Sequence, residues 1–262
     1  MANLEVVTKN EFLKKSWERP TNYLFASKDA ACLLGPAELP SAMMTIPLAF
    51  LSVDGEYFIA GLQGLENGSN SYVNNDGQWL LNNFLPAVYR SYPFKIAQSP
   101  DSKESLFLSI DTDSGLLRND DSAEPFYGED EEFTATMKVV LETLSVAATG
   151  QKAADLICKA LLKHKLFKSW DIAYDLGDGP KATNGLFCID EPAFNELSDK
   201  AFLELREVGA MPVIYCQLLS MNNTDKLIEF SSAIVNLNLS AGPDEPSLIQ
   251  LTDGGNVSFD ML

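Results

Sequence analysis

The stretch YVNNDGQWLLNNFLPAVYRSYPFKIA, residues 72–97, combines a turn, a helix start, a helix stop and a strand start. Asn75-Asp76-Gly77 is a turn signal, because Asn and Asp tolerate left-handed backbone and Gly has no Cβ to clash. Asn82 or Asn83 is placed to cap a helix with Pro86 in its early turn, where the first N–H groups lack intrahelical partners anyway. Pro93 disfavours helical geometry at Tyr92, so the helix should stop by Ser91. Phe94-Lys95-Ile96 then alternates as a strand does. A helix of roughly two turns is too short to stand alone in water. Trp79, Phe84, Leu85, Val88 and Tyr89 must dock it onto something larger.

Working outward, residues 46–53 read as an apolar strand, and Asp54-Gly55 as a two-residue hairpin turn returning through 57–61. A strand is expected near 70–73. Residues 106–110 form another strand, paired with 94–97. On the amino-terminal side, an amphipathic helix is expected around Glu11–Trp17, and Pro36 and Glu38 suit the first turn of a short helix. Residues 111–132 are acidic and turn-rich, and read as a hinge between halves. From 133 to 163 the period is helical, with Gly150 a break between two helices. Strands at 172–176 and 185–189 flank the turn Gly177-Asp178-Gly179. Asp190-Glu191-Pro192 caps a helix, 199–208 continues helically, and Pro212 opens a helix to about Phe230.

The expected fold is therefore α+β, with antiparallel sheets packed by helices and a helix-rich carboxy-terminal half. The expected organisation is a strand-rich part (1–110), an acidic hinge (111–132), a helix-rich part (133–231) and a tail (232–262). A single domain spanning all of these is the alternative. The tail reads as an edge strand, a mobile segment or a secretion signal.

The chain has 262 residues, a hydrophobic fraction of 46%, a charged fraction of 21% and a net charge of −18. The first two values are those of an ordinary globular protein. The charge argues against a nucleic-acid partner or an anionic-membrane partner, whose footprint would be basic. Residues 1–17 lack the continuous apolar core of a signal peptide, and no run reaches the ~20 apolar residues of a membrane span. The expectation is a cytoplasmic protein, not an integral membrane protein. Cys32, Cys158, Cys188 and Cys216 are widely spaced in apolar contexts, and read as buried free thiols of a reducing compartment.

Reactive constellations are sparse. His164 is the only histidine, and no acid or cysteine stands near it in sequence. One histidine cannot build a histidine metal cluster. Asp111 and Asp113 form the nearest approach to a calcium loop but lack EF-hand spacing, so an acidic turn is preferred and no metal is expected. No phosphate-binding glycine motif or nucleophile elbow occurs, so no cofactor is expected and catalysis is disfavoured. Arg90 lies between Tyr89 and Tyr92 at a predicted helix end. There it meets the negative end of the dipole and stacks on a ring, or grips a carboxylate or phosphate with its planar fork. With Trp79, these residues are the candidate ligand-binding set.

The pattern Asp76-Gly77-x-Trp79, then Phe84-x-Pro86-Ala87, then Tyr89-Arg90-x-Tyr92-Pro93-Phe94 resembles the SapC family of bacterial proteins. Gly185-Leu186-Phe187, Ile189-Asp190-Glu191, Gly209-Ala210, Ile214-Tyr215 and Leu218-Leu219-Ser220 extend the resemblance over about 46–230. The family usually has a second arginine where this chain has Ser91, so a role resting on paired arginines does not carry over. The resemblance implies a non-enzymatic binding or assembly protein with a protein partner in a bacterial surface layer or export system. Signal-less export to the cell surface is the alternative localisation it allows. It also implies a second reading: an accessory protein or enzyme of small-molecule metabolism, because relatives tend to be encoded near outer-membrane receptors and halogenase-like flavoproteins. A peripheral peptide-transport component ranks last.

Overall fold

The computed structural model describes residues 3–98 and 106–240. The chain opens with β1 (Leu4–Val6), a single helical turn α1 (Lys9–Phe12) and β2 (Ser16–Trp17). β3 (Ala31–Leu33), α2 (Leu39–Ala42), β4 (Leu48–Val53) and β5 (Glu56–Leu62) follow. Next come α3 (Ala87–Arg90), β6 (Phe94–Gln98), β7 (Leu106–Asp111), β8 (Leu117–Arg118), β9 (Glu124–Pro125) and the long helix α4 (Ala135–Lys163). β10 (Phe167–Ser169), β11 (Ala173–Asp175), β12 (Pro180–Ala182) and β13 (Leu186–Ile189) lead to the helices α5 (Glu191–Asn195), α6 (Asp199–Glu207), α7 (Ala210–Ser220) and α8 (Thr224–Ser240). All strand pairs are antiparallel, and helices dominate the carboxy-terminal half. The fold is α+β.

Two discontinuous units make up the chain, one of residues 1–25 and 86–149, the other of 26–85 and 150–262. The acidic segment 111–132 lies within the first unit, where β8 and β9 both pair with β2. That unit also holds the sheet β1-β7-β6. Its core gathers Val7, Phe12, Trp17, Phe94, Leu108, Ile110, Phe126, Met137 and Leu144. Edge-to-face rings bind it together: Phe12 on Phe126 at 5.0 Å and Trp17 on Phe94 at 4.8 Å between centroids.

The second unit is built on the sheet β10-β13-β4-β5-β3. Its central hairpin turns at Asp54 (φ 51°) and Gly55 (φ 84°), the left-handed pair that a two-residue turn of this kind requires. β13 and β4 pair at Leu186–Leu51 and Phe187–Phe50, and then the ladder opens. The same register continued would bring Ile189 opposite Leu48. The side-chain amide of Gln217, on α7, stands in for that rung. Its Oε1 accepts from Ile189 N at 2.9 Å, and its Nε2 donates to Leu48 O at 3.2 Å. Ser220 Oγ accepts from Leu48 N at 2.9 Å, and Asn223 Nδ2 donates to Met43 O at 2.7 Å. The bonds of Gln217 and Ser220 lie in the interior, where a lost partner costs the full desolvation penalty, and the Asn223 bond to Met43 is part-buried.

Several local expectations are corrected. The expected helix over 11–17 is a single turn, because Ser16 and Trp17 are buried as a strand between β8 and β9. Residues 70–73 form a turn with one bridge, Val73 to Trp79. There the Asn70 side chain competes with a ladder, donating to Ala26 O and accepting from Tyr72 N. Helix α3 starts at Ala87 with Pro86 as its N-cap, leaving Asn82 and Asn83 in a bend. Leu85 precedes a proline and so avoids helical backbone. The Gly177–Gly179 turn joins β11 to β12, whereas β13 pairs with β10 and β4. Helix α7 begins at Ala210, and the short turn Met221–Asn223 separates it from α8. Residues 232–240 belong to α8, and the rest of the expected tail lies outside the described residues.

Gly150 does not break α4, which runs unbroken for 29 residues. It faces Gly35 of the same unit, and a Cβ there would stand 3.4 Å from Gly35 Cα. Gly150→Ala places that carbon at ordinary contact distance and removes a helix-interior glycine, worth about 1 kcal/mol. The expected result is a small rise in urea midpoint for Gly150→Ala and a fall for Gly150→Leu, whose longer chain has no room. Gln217→Leu strands Ile189 N and Leu48 O and should lower unfolding free energy by about 2–4 kcal/mol, read from the same urea titration.

Candidate functional site

The four residues of the candidate ligand set fall in different units. Tyr89, Arg90 and Tyr92 belong to the first and Trp79 to the second. In the first unit, Phe25 stacks on Tyr92 with 3.7 Å between centroids and 6° between planes. Tyr89 meets the edge of Phe25 at 5.8 Å, and Tyr23 lies against it at 5.9 Å. Tyr89 is buried, whereas Tyr23, Phe25 and Tyr92 are half-buried, so the stack reaches the surface. Phe25 and Tyr23 were not among the expected site residues, although aromatic residues two apart at 23 and 25 could have suggested them.

Arg90 ends α3 and is exposed. The expected stacking on a ring is not observed. Among the described residues its guanidinium has no hydrogen bond, ion pair or ring contact. Beside it, burial and the neighbouring Asp111 carboxylate push the Tyr92 phenol above the usual tyrosine range. Asp111 itself caps a short turn, its Oδ1 accepting from Asp113 N at 3.1 Å. Among the described residues, no group of three or more His, Cys, Asp or Glu side chains is placed to hold a metal.

Trp79 is a half-buried packing residue of the second unit. Its indole Nε1 donates to Phe84 O at 2.7 Å, and its ring packs edge-on against Tyr72 at 6.1 Å. Tyr72 is fully buried, also touches Phe230, and among the described residues its hydroxyl has no hydrogen-bond partner.

His164 does have an acid partner. Its Nε2 lies 3.1 Å from Glu204 Oε2, an oxygen that also accepts from Lys163 Nζ at 2.6 Å. The Lys163 hydrogen bond, reinforced by His164, holds the Glu204 carboxyl below its usual range. Glu204 is 40 residues further along the chain, so no local spacing announces the pair. All four cysteines are buried free thiols. Burial raises each of them, Cys158 to about 12, so none is a ready nucleophile.

The least expected feature is α7. Its sequence, AMPVIYCQLLS, contains no charged residue. The inner side buries Val213, Ile214, Gln217 and Ser220. The outer side leaves Tyr215 51% and Leu219 56% exposed, and on α6 Phe202 is 40% and Leu203 50% exposed. Phe194 joins the two helices, its ring 6.1 Å from Tyr215 and 6.0 Å from Phe202. Full apolarity around a helix normally marks burial on all sides. A polar pair, Gln217 and Ser220, on an otherwise apolar helix was the signal that distinguished its two faces.

The fold and its surfaces define an α+β protein in which the uncharged helix α7 leaves Tyr215 and Leu219 exposed. Among the described residues no helix is long and apolar enough to cross a membrane. The sequence pattern of the SapC family matches residues 7–227, and the chain belongs to that family. No curated protein matches it, and neither does any solved structure.

Burial alone raises the Tyr72 phenol. Its contribution to stability is therefore complete below the unfolded tyrosine value of about 10 and is lost as pH rises beyond it. Tyr72→Phe removes both that loss and an unpartnered buried hydroxyl. The variant should gain about 1 kcal/mol at neutral pH and unfold at a higher pH than the wild type in an alkaline titration followed by circular dichroism.

Proposed function

We propose that this chain is a non-enzymatic binding or assembly protein acting beside a bacterial surface layer or export system, with the outer face of α7 as its contact surface. The observation that carries the reading is the exposure of Tyr215 and Leu219 on a helix without a single charge, within a chain of net charge −18. Contiguous exposed apolar surface of this kind marks interaction sites. Tyrosine flanked by leucine and phenylalanine also has the composition of an interface centre, where charge is depleted and aromatics are enriched. Membership of the SapC family supports the surface-layer or export setting through the gene clusters from which the family takes its name.

A second reading rests on Arg90. An exposed guanidinium without a partner among the described residues, close in sequence to half-buried aromatic rings, suits a small carboxylate or phosphate, which fits an accessory role in small-molecule metabolism.

One experiment separates the two. The wild type, a Tyr215→Glu/Leu219→Lys double variant and Arg90→Ala are each immobilised and exposed to host extract that includes the envelope fraction. The double variant changes exposed positions only and should melt within a few degrees of the wild type. The expected result is an envelope or export protein retained by the wild type and Arg90→Ala but lost from the double variant. Identical captures by the wild type and the double variant would reject the α7 face. Metabolic proteins lost selectively with Arg90→Ala would move the assignment to the second reading.

A further inference from the structure

We infer that Asn184-Gly185 is a site of spontaneous covalent self-modification, in which the carboxamide of Asn184 converts to a carboxylate and part of the backbone reroutes through the side chain. The dipeptide lies in the connection between β12 and β13, and both residues are exposed. Among the described residues, neither the Asn184 carboxamide nor the Gly185 N–H has a partner that must first be broken. Gly185 has φ of +77°, and no atom stands within 4 Å of where a Cβ would be. The nitrogen following Asn184 lies in an exposed connection, and it belongs to the residue type with the widest backbone freedom.

The step is closed in atoms and electrons and uses only water. The Gly185 nitrogen attacks Asn184 Cγ, a C–N bond forms, and the Cγ–Nδ2 bond breaks. Ammonia leaves with the proton from the Gly185 amide, and a five-membered imide remains. Water then adds to one of its two carbonyls. Opening at Cγ gives aspartate. Opening at the main-chain carbonyl gives isoaspartate, with one extra carbon in the backbone. Because the attacking nitrogen must shed its proton, the rate rises with pH.

The location makes the product consequential. Thr183 is anchored on one side, its N donating to Ile172 O at 2.9 Å and its Oγ1 accepting from Ile172 N at 2.9 Å. Leu186 is anchored on the other, paired with Leu51 and accepting from Trp170 N at 2.8 Å. An added backbone carbon between two fixed points disturbs the entry to β13, the strand whose far end Gln217 holds. Asn67-Gly68 has the same dipeptide and an exposed glycine at φ +74°, but Asn67 is engaged in a further contact. It serves as the internal comparison.

The test incubates the folded wild type and Asn184→Gln in mildly alkaline buffer at physiological temperature, then maps peptides by mass spectrometry. Urea midpoints are recorded on the same samples. The peptide containing residue 184 should convert first, to a mixture of aspartate and isoaspartate, and the urea midpoint of the aged wild type should fall. Asn184→Gln, whose imide ring would need six members, should keep its amide and its midpoint. Conversion at Asn67 ahead of Asn184, or conversion at 184 only after the chain is unfolded in urea, would overturn the inference.

Discussion

The amide of Gln217 is the interaction on which the rest of the second unit depends. A side-chain carboxamide carries the same donor and acceptor as a peptide group, so it can replace a missing rung. Here it does so where β13 and β4 part, with Oε1 on Ile189 N and Nε2 on Leu48 O. Without it, two backbone groups in the interior would be stranded, and the helix could not lie against the opened sheet. Ser220 and Asn223 repeat the device on Leu48 N, Met43 O and Ile46 O. The inner side of α7 is thus committed to completing the sheet, and its polar residues are all used in doing so. What remains for the outer side is apolar.

Local signals were readable where the partner is close in sequence. The Asp54-Gly55 turn, the pairing of β6 with β7, the Asp190 cap on α5 and the buried state of the four cysteines all follow from neighbouring residues. Some of the misreadings have a partner far along the chain. Asn70 leaves its expected strand for Ala26, 44 residues back, and Ser16 and Trp17 pair with β8 and β9 instead of continuing a helix. Gly150 reads as a helix break by propensity, yet the approach of Gly35 gives it a reason to sit within a continuous helix. In each case a tertiary contact outweighs a local preference of about a kilocalorie.

The candidate site was legible as a set of residue types but not as an arrangement. The stretch 72–97 supplies Trp79, Tyr89, Arg90 and Tyr92, yet the chain passes from one unit to the other between Leu85 and Pro86. Trp79 accordingly packs half-buried beside Tyr72, while Tyr92 stacks on Phe25 and Tyr89 meets its edge, a ring that precedes them by more than sixty positions in the sequence. Asp111, read as a possible cation ligand, proves to cap its own turn. His164 shows the converse, a residue that looks isolated until the fold brings Glu204 to it.

Charge then constrains what the apolar face can do. A chain of net −18 repels other acidic surfaces, and that repulsion weakens beyond roughly 10 Å at 0.1 M salt. Contact made through a charged acidic surface must overcome it at close range, where screening is least. The outer side of α7 contributes no charge of its own, so a contact confined to Tyr215 and Leu219 would remove apolar surface from water without desolvating an ionised group of that helix. Affinity of that origin is short-ranged, insensitive to salt and dependent on shape, whereas the acidic remainder discourages contact elsewhere. On the α7 reading, a partner with apolar anchors would meet no charge carried by that helix.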